Sequence, residues 1–358
     1  MNILFYFGHP AQYLFFKNSL KILKEKKHNY EIIIKSKDVL ENLLISNQEL
    51  YQNILPEGRK ANKISLLFAL IKREIRLLKF IQGKHFDLFI GTDPSLAHVG
   101  FFKKTPVITV LEDDIQVVPQ LAKITFPFTS LILTPKDCKT GRYEKKTIHY
   151  EGYMKLAYLH PNRFSIISTL YKQPYFLIRV SKLDAYHDVG KKGFTVQLLH
   201  QVVSILQKSG LVLISSEGIL DPTLGPLKLD INPSEMHQVL ANASLLICDS
   251  QSMTMEASML GVPSVRFSDF AGKISVLEEL EKTYGLTYGI PTTNPDLLFQ
   301  QIDELLAYPE LEIEFQNRRK KMLKDKIDVT AFLVWFIENF PQSVKVMKEN
   351  PDYQNRFK

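Results

Sequence analysis

The chain has 358 residues, 45% of them apolar and 23% charged, the make-up of a globular protein long enough for two domains. Its net charge of +7 suits an anionic ligand or an acidic membrane surface, and is too small to argue binding to polymeric nucleic acid. The two cysteines, Cys138 and Cys248, lie near apolar runs without metal-site spacing, which predicts buried free thiols in a reducing compartment. No stretch approaches a membrane span, and no basic start precedes the first apolar run, so a cytoplasmic protein beginning at Met1 is expected.

The first predicted strand is Asn2 to Phe7, followed by the turn Gly8 to Gln12 and an amphipathic helix from Tyr13 to Lys27. His9 sits in that strand-end turn, as a ligand contact or as a solvated loop residue. Glu31 to Lys35 reads as the second strand and Val39 to Leu50 as a helix. Ile64 to Ile81 reads as a long helix with an apolar side and a basic side (Lys63, Lys72, Arg73, Arg76, Lys79). A domain helix with a solvated face is the first reading, and a helix lying on an anionic membrane the second. Phe86 to Ile90 and Thr105 to Val110 are the next strands. Asp93 lies in the loop after one, Gly91 to Ser95, and Glu112 and Asp113 follow the other. Carboxylates at one sheet edge suit proton transfer, and equally serve as helix N-caps. Ser130 to Pro135 and Lys146 to His149 complete the strands of a first domain at residues 1–165.

A second domain is predicted at 166–325, opening with the strand Pro174 to Val180. The polar loop after it, Ser181 to Gly193, holds Lys182 and His187, cationic groups that can neutralise a diphosphate. A helix from Thr195 to Ser209 and a strand from Leu211 to Ser215 follow, and Glu217 lies in the loop after that strand, facing a base. A short helix, Ser234 to Leu240, leads to the segment that organises the rest. Leu245 to Cys248 is a buried strand, Asp249 to Ser252 a polar turn, and Met253 to Leu260 a helix that Gly261 and Pro263 end. Val262 to Phe267 is the next strand. Such a turn sits where phosphates bind, at a helix N-terminus beyond a parallel strand. Ser250 and Ser252 would offer hydroxyls, Met253 and Thr254 backbone N–H groups, and Glu256 a carboxylate for the ribose hydroxyls. Helices are predicted at Asp296 to Leu306 and Asp328 to Asn339, the latter carrying the single tryptophan, Trp335.

The stretch DSQSMTMEASMLGVPSV is similar to the D-S-G-G-x-x-E-E-A-x-x-L-G-x-P segment of non-hydrolysing UDP-N-acetylglucosamine 2-epimerases. Asp249, Ser250, Glu256, Ala257, Leu260, Gly261 and Pro263 match it, while Gln251 and Ser252 replace the paired glycines and Met255 the first Glu. It resembles more closely the DUF354 family of predicted glycosyltransferases, whose first loop the segment GHPAQYLFFKN also resembles. The resemblance implies an α/β protein of GT-B-like fold. Two Rossmann-type domains would face each other across a cleft, with a C-terminal helix at 326–358 crossing back to the first. Under it the second domain takes the nucleotide, and Asp93, Glu112, Asp113 and His9 form the catalytic side. The function implied is a UDP-sugar-dependent glycosyltransferase of surface polysaccharide biosynthesis, with an acceptor glycan or lipid-linked sugar and a peripheral membrane contact as expected partners. An epimerase-like enzyme and a non-catalytic nucleotide-sugar-binding protein are the alternatives. No metal or other cofactor is expected, since helix N-termini and basic side chains can bear the diphosphate charge.

Overall fold

The computed structural model describes residues 1–35, 39–57, 63–167, 173–181 and 193–358. The chain divides into two compact units, one of Met1–Tyr158 with Lys326–Lys358, the other of Leu159–Asp325.

Unit 1 begins with β1 (Asn2–Phe7), α1 (Pro10–Glu25), β2 (Asn29–Lys35), α2 (Leu40–Ser46), β3 (Tyr51–Leu55) and α3 (Lys63–Phe80). It continues with β4 (Leu88–Gly91), α4 (Pro94–Lys103), β5 (Val107–Val110), α5 (Pro119–Thr125), β6 (Leu131–Pro135) and β7 (Thr147–Tyr150). The seven strands form one parallel sheet in the order β3-β2-β1-β4-β5-β6-β7. Parallel strands are covered on both faces, so the central ones carry continuous apolar runs rather than alternation. Ile3 to Phe7 are all buried for that reason. Leu4, Tyr6, Phe89 and Val107 meet Leu77 and Ile81 of the α3 side in one apolar cluster.

One expected element is corrected. The helix expected from Val39 to Leu50 stops at Ser46, because Gln48 takes a left-handed φ of 57° and the chain turns into β3, which pairs with β2. β3 had no counterpart in the sequence reading.

The short helix α6 (Leu156–Leu159) leads into unit 2. There β8 (Tyr175–Val180), α7 (Val196–Leu206), β9 (Leu211–Ser216), α8 (Met236–Ala241), β10 (Leu245–Cys248) and α9 (Gln251–Leu260) follow. The unit closes with β11 (Ser264–Phe267), α10 (Ser275–Lys282), β12 (Tyr288–Ile290), α11 (Pro295–Ala307) and α12 (Leu311–Asp325). Its five parallel strands run β12-β11-β10-β8-β9. α9 ends at Gly261, whose φ of +71° favours a residue without a side chain. Gln316 and Arg319 of α12 reach the last carbonyls of α9, bonding Leu260 O at 2.9 Å and Met259 O at 2.6 Å.

The chain then returns to unit 1 as α13 (Val329–Glu338) and α14 (Gln342–Glu349). Asp328 caps α13, its carboxylate accepting from Ala331 N–H at 3.0 Å. α13 is apolar on nearly every side because α1 and the aromatic rings around Tyr150 and Trp335 surround it. Buried rings such as Phe332 and Phe336 are worth about 1.5–3 kcal/mol each. Thr330 Oγ1 and Asn18 Nδ2 both donate to Ala157 O, at 2.6 and 2.8 Å, which fixes the returning helix on α1.

Candidate functional site

In an open parallel sheet, loops at the carboxyl ends of two neighbouring strands diverge where the strand order reverses, and ligands settle there. In unit 2 that point lies between β8 and β10. Ser181 follows β8, Asp249 follows β10, and Ser181 N–H donates to Asp249 Oδ1 at 2.8 Å. Asp249 is almost completely buried, and burial pushes its carboxyl up to about 6 against the pull of the Ser181 bonds, with the charge of Glu217 adding to the rise.

Ser250 is the N-cap of α9. Its Oγ accepts from Met253 N–H at 3.3 Å, and the Thr254 N–H and hydroxyl both donate to Ser250 O, at 3.2 and 2.7 Å. The amides of Met253 and Thr254, expected to meet phosphate, are therefore consumed by the helix and its cap. The buried Thr254 hydroxyl also lies 3.2 Å from Cys248 Sγ. Among the described residues the amides of Gln251 and Ser252, the first two of α9, have no partner. The open amides thus fall two residues earlier than those expected to meet phosphate, because a Ser that caps a helix takes N3 for itself.

Glu256 is 8% exposed, and its Oε1 lies 3.3 Å from Nε2 of His237 on α8. His237 carried no role in the sequence reading. The signal was there, a histidine in the SEMHQVL helix immediately before the motif strand. Glu217 is exposed and pairs with Arg179 Nη2, while Arg179 Nη1 donates to Ser215 Oγ at 2.6 Å. Arg179 stands level with Cys248 at the same sheet edge, and its buried Nε has no partner. A charged residue at the end of an otherwise apolar strand was the signal for it. Lys182 and His187 lie outside the described residues.

The strand order of unit 1 reverses between β1 and β4, which places the His9 and Asp93 loops side by side. His9 is exposed and caps α1, its Nδ1 accepting from Ala11 N–H at 3.2 Å. A neutral ring that accepts at Nδ1 carries its proton on Nε2. Asp93 is buried and caps α4. It accepts from Ser95 N–H and Oγ at 3.0 and 2.7 Å and from Arg73 Nε at 3.1 Å, with Lys35 Nζ at 3.6 Å. Burial raises its pKa, but Arg73, Lys35 and the Ser95 bonds outweigh that and bring it to about 2. Asp93 thus anchors Arg73 and the start of α4, and a carboxylate so held stays ionised near neutrality. Glu112 is anchored as well. Its Oε1 accepts from Met154 N–H at 2.5 Å and its Oε2 from Lys155 Nζ at 2.7 Å, both buried. Asp113 beside it is half-buried.

No protein-family model matches the chain, and the comparison with curated proteins gives no match. Solved structures do match. A Staphylococcus aureus MnaA–UDP co-structure superposes with a TM-score of 0.68 at 13% identity, covering 96% of this chain and 97% of that one. The UDP-GlcNAc 2-epimerase of Neisseria meningitidis bound to UDP-GlcNAc gives 0.66 at 14% identity, over 94% and 99%. The calicheamicin glycosyltransferase CalG4 gives 0.59 at 14% identity, over 96% and 98%. The fold is therefore GT-B, built from two Rossmann-like parallel α/β units.

Proposed function

We propose that this protein is an enzyme that transfers a sugar from a UDP-sugar, with the nucleotide held by unit 2. The observation that carries the reading is the start of α9. Two open amides, those of Gln251 and Ser252, lie beside the reversal point of the sheet, and a buried carboxylate, Glu256, is held by His237 one turn further on. Open amides and the helix dipole receive phosphate. A carboxylate set back along the helix suits the two ribose hydroxyls, which donate to it.

Transfer is preferred to epimerisation for a stated reason. A 2-epimerase removes a proton from carbon, and of the three acids suited to it, Asp93, Glu112 and Asp113, the first two are tied into buried ion pairs. The second reading is an epimerase-like enzyme, and the TM-scores of 0.68 and 0.66 with the MnaA and Neisseria epimerase structures, against 0.59 with CalG4, support it. Incubation with a panel of UDP-sugars separates the two. A transferase releases UDP when an acceptor glycan or lipid-linked sugar is supplied, whereas an epimerase changes UDP-N-acetylglucosamine alone. Tight UDP binding with neither reaction would leave a nucleotide-sugar-binding protein, and absence of UDP binding would overturn the reading altogether.

The same proposal extends to a peripheral membrane contact. α3 exposes Phe68, Ile71, Ile75 and Leu78 along one side, and the neighbouring α4 exposes Phe101 and Phe102. Lys79, Lys103 and Lys104 border this face and have no acidic partner among the described residues. A second copy seated there would bring like charges together, whereas an anionic lipid surface complements them. No helix among the described residues is long and apolar enough to cross a membrane. The protein is expected to float with vesicles containing phosphatidylglycerol and not with phosphatidylcholine alone. Phe101→Ser/Phe102→Ser should abolish flotation. Equal recovery on both lipids, or a dimer that the double variant dissociates, would remove the claim.

A further inference from the structure

Arg266 is completely buried in the middle of β11, between Cys248 of β10 and Gly289 of β12. A guanidinium taken out of water is costly unless negative charge and hydrogen-bond acceptors face it. Among the described residues no carboxylate lies within ion-pair distance of it. Glu278 and Glu281 act on it only from farther away, with Glu278 paired to Lys282 and Glu281 accepting from Gly289 N–H at 3.1 Å. The side chain makes one hydrogen bond, from Nη1 to Gln251 Oε1, and its Nε and Nη2 have no partner. Gly289 makes the room, since a Cβ there would stand 3.0 Å from Nη2.

Gln251 is the first residue of α9, and its Nε2 donates to Ser268 Oγ at 2.9 Å. Its amide group is therefore clamped at both ends, by Arg266 on one side and Ser268 on the other. This is also one of the two positions at which the epimerase pattern carries glycine. With the side chain turned onto Arg266, the backbone amides of Gln251 and Ser252 remain open despite the loss of glycine.

We infer that Arg266, acting through Gln251, positions the diphosphate of the nucleotide at the start of α9 and supplies the positive charge behind it. The inference rests on the reading of that turn as a nucleotide site. Arg266 is a positioning residue: it holds the side chain whose backbone meets the phosphate, and its charge adds to the field of the α9 N-terminus. A buried guanidinium with unused donors becomes less unfavourable when a dianionic ligand arrives, so part of its cost is recovered on binding.

Calorimetric titration with UDP and with uridine tests this, because the two ligands differ by the diphosphate alone. Arg266→Met should weaken UDP about tenfold or more and leave uridine within about twofold. Arg266→Lys should recover most of the UDP affinity. Should Arg266→Met fail to fold, Gln251→Ala serves: Gln251 is half-buried at the helix start, its loss removes the hydrogen bond of Arg266 while keeping the guanidinium, and a thermal melt reads whether the fold survives. It should weaken UDP about threefold and uridine not at all. Equal losses for both ligands would make Arg266 a structural residue only, and unchanged UDP affinity in folded variants would overturn the inference. Wild-type protein that binds neither ligand would sink the nucleotide reading itself, an outcome that the variants cannot mimic.

Discussion

Two buried aspartates give opposite pH dependences. Asp93 has a folded pKa of about 2, below its unfolded value of about 3.9, so the stability it contributes is present above pH 4 and is lost as the pH falls toward 2. Asp249 has a folded pKa of about 6, above its unfolded value, so its contribution is fully present below about pH 4 and is lost as the pH rises through 6. At pH 8 the ionised Asp249 therefore costs about 2–3 kcal/mol. Asp249→Asn keeps an oxygen for Ser181 N–H and should raise the melting temperature at pH 8 while changing little at pH 4. Asp93→Asn should do the reverse of stabilising: it leaves the buried Arg73 without its counter-charge and costs about 3 kcal/mol or more. Its turnover per folded molecule should stay within about tenfold of wild type. A hundredfold loss at unchanged stability would restore it as a proton-transfer group. Glu256→Ala should weaken UDP about tenfold to a hundredfold and barely move the melting temperature, because its partner His237 is a fifth exposed and can turn to water. Equal dissociation constants would end the ribose assignment.

At the scale of elements, α9 is specified at both ends. Gly261→Ala would force a side chain into a left-handed φ of +71° and to within 2.7 Å of Gln316 Nε2, and should cost about 1–3 kcal/mol in a denaturant melt. A loss below about 0.5 kcal/mol would mean that α12 gives way. This helix was legible because cap, apolar rhythm and terminating Gly-Val-Pro all agree within one short stretch. The strands of continuous apolar sequence were legible too, since nothing else makes runs such as Leu245 to Cys248. Among the strands, β3 and β12 escaped, edge strands of five and three residues whose pairing with β2 and β11 makes them strands. The side-chain partners escaped for a related reason. Arg266 with Gln251 and His237 with Glu256 are 15 and 19 positions apart, separations that no local pattern marks.

At the scale of the molecule, each sheet reverses its strand order once, and several of the polar residues singled out in the sequence lie at those reversals, His9 and Asp93 in unit 1 and Asp249 to Ser252 in unit 2. UDP should therefore slow amide hydrogen exchange locally, at Gln251, Ser252 and the end of β10, with α3 and α4 of unit 1 unaffected. Uniform protection through both units would instead indicate a global stabilisation by mass action.

Unit 2 is one uninterrupted stretch of chain, whereas unit 1 is completed only by Lys326–Lys358. On the ribosome the order of finishing is therefore inverted. The second unit can close while the first still lacks α13, and α1 must wait with its apolar side uncovered until α13 emerges. That interval is when the nascent protein most needs a chaperone.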